Sequence, residues 1–269
     1  MTLGFSVEAL IPAGRGGGAL KMGLRRLSEA EWLQQNPDRA ARRLAFDRHP
    51  EALIVRPEAV DAACEVAAML DVGGGLSDAA RSCWEDLCIL QPDGAGQYRL
   101  TAGAVAFPTD WRLADKMGLP LTAIHAPIHG YAEQLSAGVD HFVATLRPGP
   151  IFGRANWFVV ASAAWRYMPD DEPAQRFAHV TAANAGETLF VRCERQTLRR
   201  LPQSGAVLFT IGIHVAPLGS LSAAAVRQVT RSVATVSEGE HERRAAPFYA
   251  DALHGYARSR EEMEPAGDA

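Results

Sequence analysis

The sequence predicts an α+β fold: one antiparallel sheet flanked by helices. Three observations carry this. Apolar, β-branched and aromatic runs cluster at 86–90, 98–107, 156–163, 188–194 and 206–215, as half-buried strands require. Helical stripes surround these runs and do not alternate with them, which argues against βαβ repeats. The chain has 269 residues, with 48% apolar and 22% charged side chains, enough to bury a core without staples. No internal repeat or convincing linker divides it. The expected organisation is a loose arm or edge strand over 1–24, one domain over 25–262 and a frayed tail over 263–269.

The elements follow in order. Ser28 and Glu31 have the spacing of a capping box, which opens a helix expected over 28–48. Pro57 opens a second helix, with Val60, Cys64, Ala67 and Leu70 on one stripe. It ends at the glycine run 71–75. Ser77 is expected to cap a third helix reaching Glu85. Strands 86–90 and 98–107 flank Pro92-Asp93-Gly94 and read as a hairpin. A short helix is expected near 110–117 and a proline-punctuated loop over 118–129. An amphipathic helix over 130–146 carries Tyr131, Leu135, Val139, Phe142 and Leu146 on its stripe. Strands then fall at 156–163, 188–194 and 206–215, and helices at 222–236 and 245–262.

Several function classes drop out. The net charge of −4 provides no global field toward nucleic acid or an anionic membrane. The longest apolar runs are far too short to span a bilayer. MTLGFSVEALIPAG lacks the basic start of a signal peptide. Cys64, Cys83, Cys88 and Cys193 match neither a zinc site nor a disulfide scaffold, and read as buried reduced thiols in a cytoplasmic protein. Gly14-Arg15-Gly16-Gly17-Gly18 lacks the flanking strand and helix of a dinucleotide loop. No G-x-S-x-G elbow or H-E-x-x-H helix occurs.

Two regions remain as candidates for chemistry. His125 lies in the proline-rich loop among Leu121, Ile124 and Ile128. A neutral imidazole there suits an axial haem ligand, while an isolated histidine is by default a hydrogen-bonded core or surface residue. His129 is close enough to compete, and His214 interrupts an apolar strand where its ring must find a partner. The second region is 192–202, a polar segment expected between two strands. Arg192, Arg195, Arg199 and Arg200 could hold carboxylates such as porphyrin propionates. They could equally form salt bridges with Glu194 and with Glu85-Asp86.

WEDLCIL (84–90), AFPTDWRLADKMGLPLTAIHAPIHGY (106–131), RANW (154–157) and RCERQTLRRLPQSGAVLFTI (192–211) together resemble the haem-dependent oxidative N-demethylase family, in its haem-carrying alpha-subunit-like members. The resemblance runs from about residue 25 to about residue 260. It implies a PAS-like antiparallel sheet that binds haem b and oxidatively demethylates a small secondary amine such as dimethylamine. Oxygen is the oxidant, and electrons come from NADPH through separate flavin and iron–sulfur subunits. This chain has no cysteine set for an iron–sulfur cluster and no flavin or NADPH motif, so it would supply the haem component. The resemblance carries His125 of the I-H-x-P string over as the iron ligand. Arg195 and Arg199 become propionate partners, and Glu194 a catalytic polar group of the pocket.

The chain departs from the family pattern in two places. Gly212 stands where the family commonly has a basic residue and His214 where it has tyrosine. His129 stands where the family commonly has proline. If the 212–214 strand lines the pocket, His214 enters its chemistry or competes for iron. The competing readings are a haem-binding sensor or carrier without turnover, and a scaffold that has lost haem. Homo-oligomerisation is left open.

Overall fold

The computed structural model describes residues 3–11 and 20–263; the Gly14–Gly18 run lies outside them. At its centre is a seven-stranded sheet: β1 (Arg25–Leu27), β2 (Leu53–Val55), β3 (Asp86–Pro92), β4 (Tyr98–Ala104), β5 (Ile151–Val160), β6 (Phe190–Arg200) and β7 (Val207–Pro217), in the order β1-β5-β6-β7-β3-β4-β2. Every neighbouring pair is antiparallel. The expected hairpin is β3–β4. Its turn is built by Asp93, whose carboxylate accepts from the N–H groups of Ala95 and Gln97 and from Arg99 Nε. β5, β6 and β7 form a meander in unbroken register, with Phe190 opposite Pro217 and Arg200 opposite Val207. β7 then pairs with β3, Asp86 opposite Ile211, and joins the two halves of the chain.

The strand expected over 188–194 continues to Arg200, so the segment read as a polar connection is the middle of β6. Its pattern of apolar residues is interrupted because arginines fill inward positions, most of their donors held by carbonyls and by Thr109 and Glu29. Arg192 and Arg195 are fully buried. Hydrophobic periodicity therefore fails there while the strand persists.

The helices are α1 (Arg39–Arg48), α2 (Val60–Met69), α3 (Leu76–Ser82), α4 (Ser136–Thr145), α5 (Ala223–Thr235) and α6 (Ala250–Met263). The capping box at Ser28 and Glu31 is present but opens only one 3-10 turn. Pro37 then interrupts the expected helix, and Asp38 caps α1 by accepting from Ala41 N–H. The helix expected over 130–146 is broken at Leu135, where φ is −122°. The one expected over 245–262 begins instead at Ala250, after a short helix over Glu238–Arg243 and a 3-10 turn.

The sheet has two unlike faces. On one, α5, α6 and the single turn Val7–Leu10 pack on Trp157, Val159, Val191 and Cys193, and α1 to α3 cover Leu87, Ile89, Ala102, Ala104 and Leu208. This is the α5 face. Within the expected loose arm, residues 3–11 dock here, with Val7, Leu10 and Ile11 buried. On the other, the α4 face, α4 and the turns at 113–116 and 121–124 pack on Cys88, Leu90, Phe152, Leu198 and Val207. Arg200 fixes α4 by donating from Nη2 to the carbonyls of Val143 and Ala144, where a helix end has unmet acceptors and favours a cation. Of the cysteines, Cys83, Cys88 and Cys193 are buried and Cys64 is exposed. Among the described residues no helix is long and apolar enough to cross a membrane.

Candidate functional site

On the α4 face His125 lies within electrostatic reach of Arg154 and Glu194. Pro120 opens the turn Leu121–Ile124, and Ile124 N–H bonds the Pro120 carbonyl at 3.0 Å. Lys116 Nζ holds the end of this turn by donating to the Ile124 carbonyl at 3.0 Å. His125 Nδ1 lies 2.8 Å from the Leu121 carbonyl. A carbonyl only accepts, so Nδ1 carries the proton and the lone pair sits on Nε2. The ring stacks on Tyr131, with centroids 4.5 Å apart and planes 19° apart. Burial pulls the imidazole below its ordinary pKa; Arg154 and Lys116 push the same way, while the Leu121 bond and Glu194 oppose them. His125 is thus a neutral imidazole at neutral pH.

The sheet supplies the floor. Arg154 lies opposite Gln196, and Asn156 opposite Glu194; Ile211 and Ile213 continue this surface on β7. Glu194 is 7% exposed, and Gln196 Nε2 donates to its Oε2 at 3.0 Å. Arg154, Asn156 and Gln196 are half-buried. At the free edge of β5 a cleft of about 320 Å³ opens toward the segment running from Ser232 to Arg244; Leu10 and Trp157 of the α5 face line it as well as Arg154 and Asn156.

One end of this face is closed by the motif strings themselves. Asp86 accepts from Ala106 N–H at 2.8 Å, Phe107 N–H at 3.1 Å and Arg42 Nη1 at 2.7 Å. Arg192 donates to the carbonyls of Phe107, Pro108 and Ala164 and to Thr109 Oγ1. WEDLCIL, AFPTDW and the start of β6 are therefore one clamp. Trp84 Nε1 adds a bond to the Ile213 carbonyl at 2.7 Å.

The structure brings His125 and Glu194 together on the α4 face. It places Arg195, Arg199 and His214 on the α5 face, because successive strand residues point to opposite sides. The condition under which His214 would enter the pocket's chemistry, that its strand lines the pocket with this ring, is therefore not met on the His125 side. Arg195 donates to the carbonyls of Leu3 and Trp32 and lies over the Phe5 ring. Arg199 makes a forked pair with Glu29 and lies 4.2 Å from the Trp32 ring centroid. Arg199 thus already holds a carboxylate, that of Glu29, and most other donors of the cluster hold backbone carbonyls; Glu194, Asp86 and Glu85 act on Arg192 and Arg195 electrostatically. His214 lies opposite Cys193. His129 is exposed, with its ring against Gly239.

Sequence reasoning missed Arg154, Tyr131 and Gln196 as neighbours of the site. Arg154 sits in the RANW string and Tyr131 ends the 106–131 string. Counting by twos from Glu194 would have found Gln196.

A haem fits this donor set. His125 Nε2 presents a lone pair whose partner nitrogen is already anchored, as metal-bound histidines require. Arg154 and Lys116 are cations within electrostatic reach of that ring, suited to a porphyrin's carboxylates. The surroundings of His214 do not suit it, because its Nε2 is buried on the opposite face of the sheet. Among the described residues no three His, Cys, Asp or Glu side chains cluster to hold a bare metal ion. Residues 74–253 match the family described as haem-dependent oxidative N-demethylase, alpha subunit-like. This match covers more than half of the chain, and its span includes both the clamp and His125, so the chain belongs to that family.

Proposed function

We propose that this protein is the haem-carrying component of an oxidative N-demethylase system, acting on a small secondary amine. The observation that carries this is His125: a neutral imidazole inside the matched span, with its lone pair on Nε2. A PAS-like arrangement of the inner strands is supported by their order β4-β3-β7-β6-β5. A hairpin is followed by a helical connection and a three-strand meander, and His125 sits in that connection. The one sheet shared by both halves supports reading 25–262 as a single domain.

When bound, haem b supplies oxygen activation, with electrons drawn from NADPH through flavin and iron–sulfur partner subunits. His125 holds the iron, and the Leu121 carbonyl and the Tyr131 ring fix the plane of its imidazole. Arg154 and Lys116 neutralise the propionates. Glu194 holds the positive charge of a protonated amine, and Gln196 orients its carboxylate. Ile211 and Ile213 keep water from this part of the floor. Gly212 and His214 lie on the other face, so these departures from the family pattern leave the floor unchanged. The buried thiols support a cytoplasmic location.

The test is a hemin titration followed by absorbance, on wild type, His125→Ala and His214→Ala. Wild type and His214→Ala are expected to bind one-to-one with a sharp Soret band, and His125→Ala to lose or shift it. Absence of specific binding, or an unchanged His125→Ala spectrum, overturns the assignment. Amine-dependent oxygen uptake with a reductase then tests turnover.

A further inference from the structure

The α5 face contains a second polar centre, unconnected with the haem reading. Gly212 sits mid-strand opposite Arg195, and a strand-interior glycine marks a close approach. A Cβ at Gly212 would lie 3.4 Å from Glu85 Oε1 and 3.5 Å from His214 Nε2. Glu85 and Arg195 are fully buried, Trp32 is 7% exposed and His214 is 9% exposed. Each of these four side chains, and neighbouring Gln34, carries a buried polar atom with no hydrogen-bond partner in the protein: Glu85 Oε2, Arg195 Nη2, Trp32 Nε1, His214 Nε2 and Gln34 Oε1.

The residues that carry these groups adjoin one another, Gln34 and Trp32 through their backbones. Gln34 N–H donates to Glu85 Oε1 at 2.8 Å, and Arg195 Nη1 donates to the Trp32 carbonyl at 2.8 Å. Arg195 also acts electrostatically on both Glu85 and His214. Leaving one such buried group unmet costs its full desolvation. Several together would weigh heavily against the small margin by which a domain is stable. A guest that meets them is the economical solution.

The chemistry of the guest follows from the groups. Arg195 disfavours a cation and Glu85 disfavours an anion. Arg195 Nη2 and Trp32 Nε1 donate, Glu85 Oε2 and Gln34 Oε1 accept, and His214 Nε2 does either according to its tautomer. A neutral molecule that both donates and accepts satisfies this set, and the space a Gly212 methyl would take matches about one non-hydrogen atom. We propose that the Gly212 chamber is a buried binding site for neutral hydrogen-bonding molecules of water's size, held by Glu85, Arg195, His214 and Trp32. Water is the resident ligand. Burial disfavours the charged form of His214, so its ring adds no charge to the chamber, in keeping with a neutral guest.

The test uses the full chain and two measurements. A high-resolution crystal structure of wild type is expected to show discrete density within about 3.2 Å of at least three of the orphan atoms. NMR is expected to show magnetisation transfer from a long-lived water to the Trp32 indole N–H. Gly212→Ala places its methyl in this space and is expected to abolish both signals. Direct closure of Arg195 Nη2 onto Glu85 Oε2, without such density, overturns the proposal. So does absence of the water signal in wild type, which decides the matter even if Gly212→Ala does not fold. Persistence of both signals in a folded Gly212→Ala protein overturns it too.

Discussion

His125 and His214 are two imidazoles withdrawn from solvent and kept neutral mainly by burial, on opposite faces of one sheet. The difference lies in what each ring has left to offer. His125 has Nδ1 committed to a carbonyl and shares its face with Arg154, Asn156 and Gln196, which are half-exposed. His214 presents a buried Nε2 to a space about one atom wide. The α4 face thus keeps half-buried polar side chains beside its imidazole, while the arginines of the α5 face tie the sheet to the segments packed on it. β6 serves both, because adjacent residues such as Glu194 and Arg195 point to opposite sides.

This contrast can be broken by substitution. Arg195→Ala should cost about 2–4 kcal/mol, since it strips the Leu3 and Trp32 carbonyls of their donor in the interior. Chemical denaturation measures this. Hemin affinity of the folded fraction should be unchanged, and a parallel loss of affinity would mean that the faces are not separate. The next effect is pH-dependent. Burial lowers the His214 pKa from 6.5 to about 4. As pH falls below 6.5 the unfolded chain takes up a proton that the folded chain refuses until about 4. Stability therefore falls across that window, by about 3 kcal/mol for this group. His214→Gln should flatten that part of a pH series of melting curves; an unchanged slope would remove His214 from the account.

On the α4 face smaller stability effects are expected. Gln196→Ala should change stability by less than about 1 kcal/mol, while weakening amine binding to the hemin-loaded protein roughly fivefold through loss of one orienting bond. Calorimetric titration separates these two quantities. Smallest is Tyr131→Phe. The Tyr131 hydroxyl is buried without a partner, so its removal should shift stability by under about 0.5 kcal/mol and retain the ring stack. A large loss by thermal melting would show that the hydroxyl has a partner after all.

How much of this the sequence displays depends on where apolar residues mark the pattern. The β3–β4 hairpin was legible because Pro92-Asp93-Gly94 separates two apolar runs, and α2 because its stripe follows the helical period. β6 beyond Glu194 was not legible, since Arg195, Arg199 and Arg200 occupy strand positions that the pattern rule reserves for apolar residues. The break at Leu135 carries no proline or glycine to announce it. His125 stood out by its proline-bounded apolar loop. What the residue list concealed was parity: Glu194 and Arg195 are neighbours in sequence, and only the knowledge that both lie in a strand places them on opposite faces.

The pairing of β7 with β3 has a consequence for how the protein is made. Asp86 meets Ile211, so the first hairpin leaves the ribosome long before its inner partner exists. Contacts so distant in sequence slow folding, because the intervening loop must close before the pairing contributes. Until β7 is synthesised, the β3 edge exposes unpaired backbone beside Leu87 and Ile89, which are fully buried in the finished sheet. Such an edge invites association with other chains. Shortening the chain before Val207 should therefore leave a nascent hairpin that depends on chaperones.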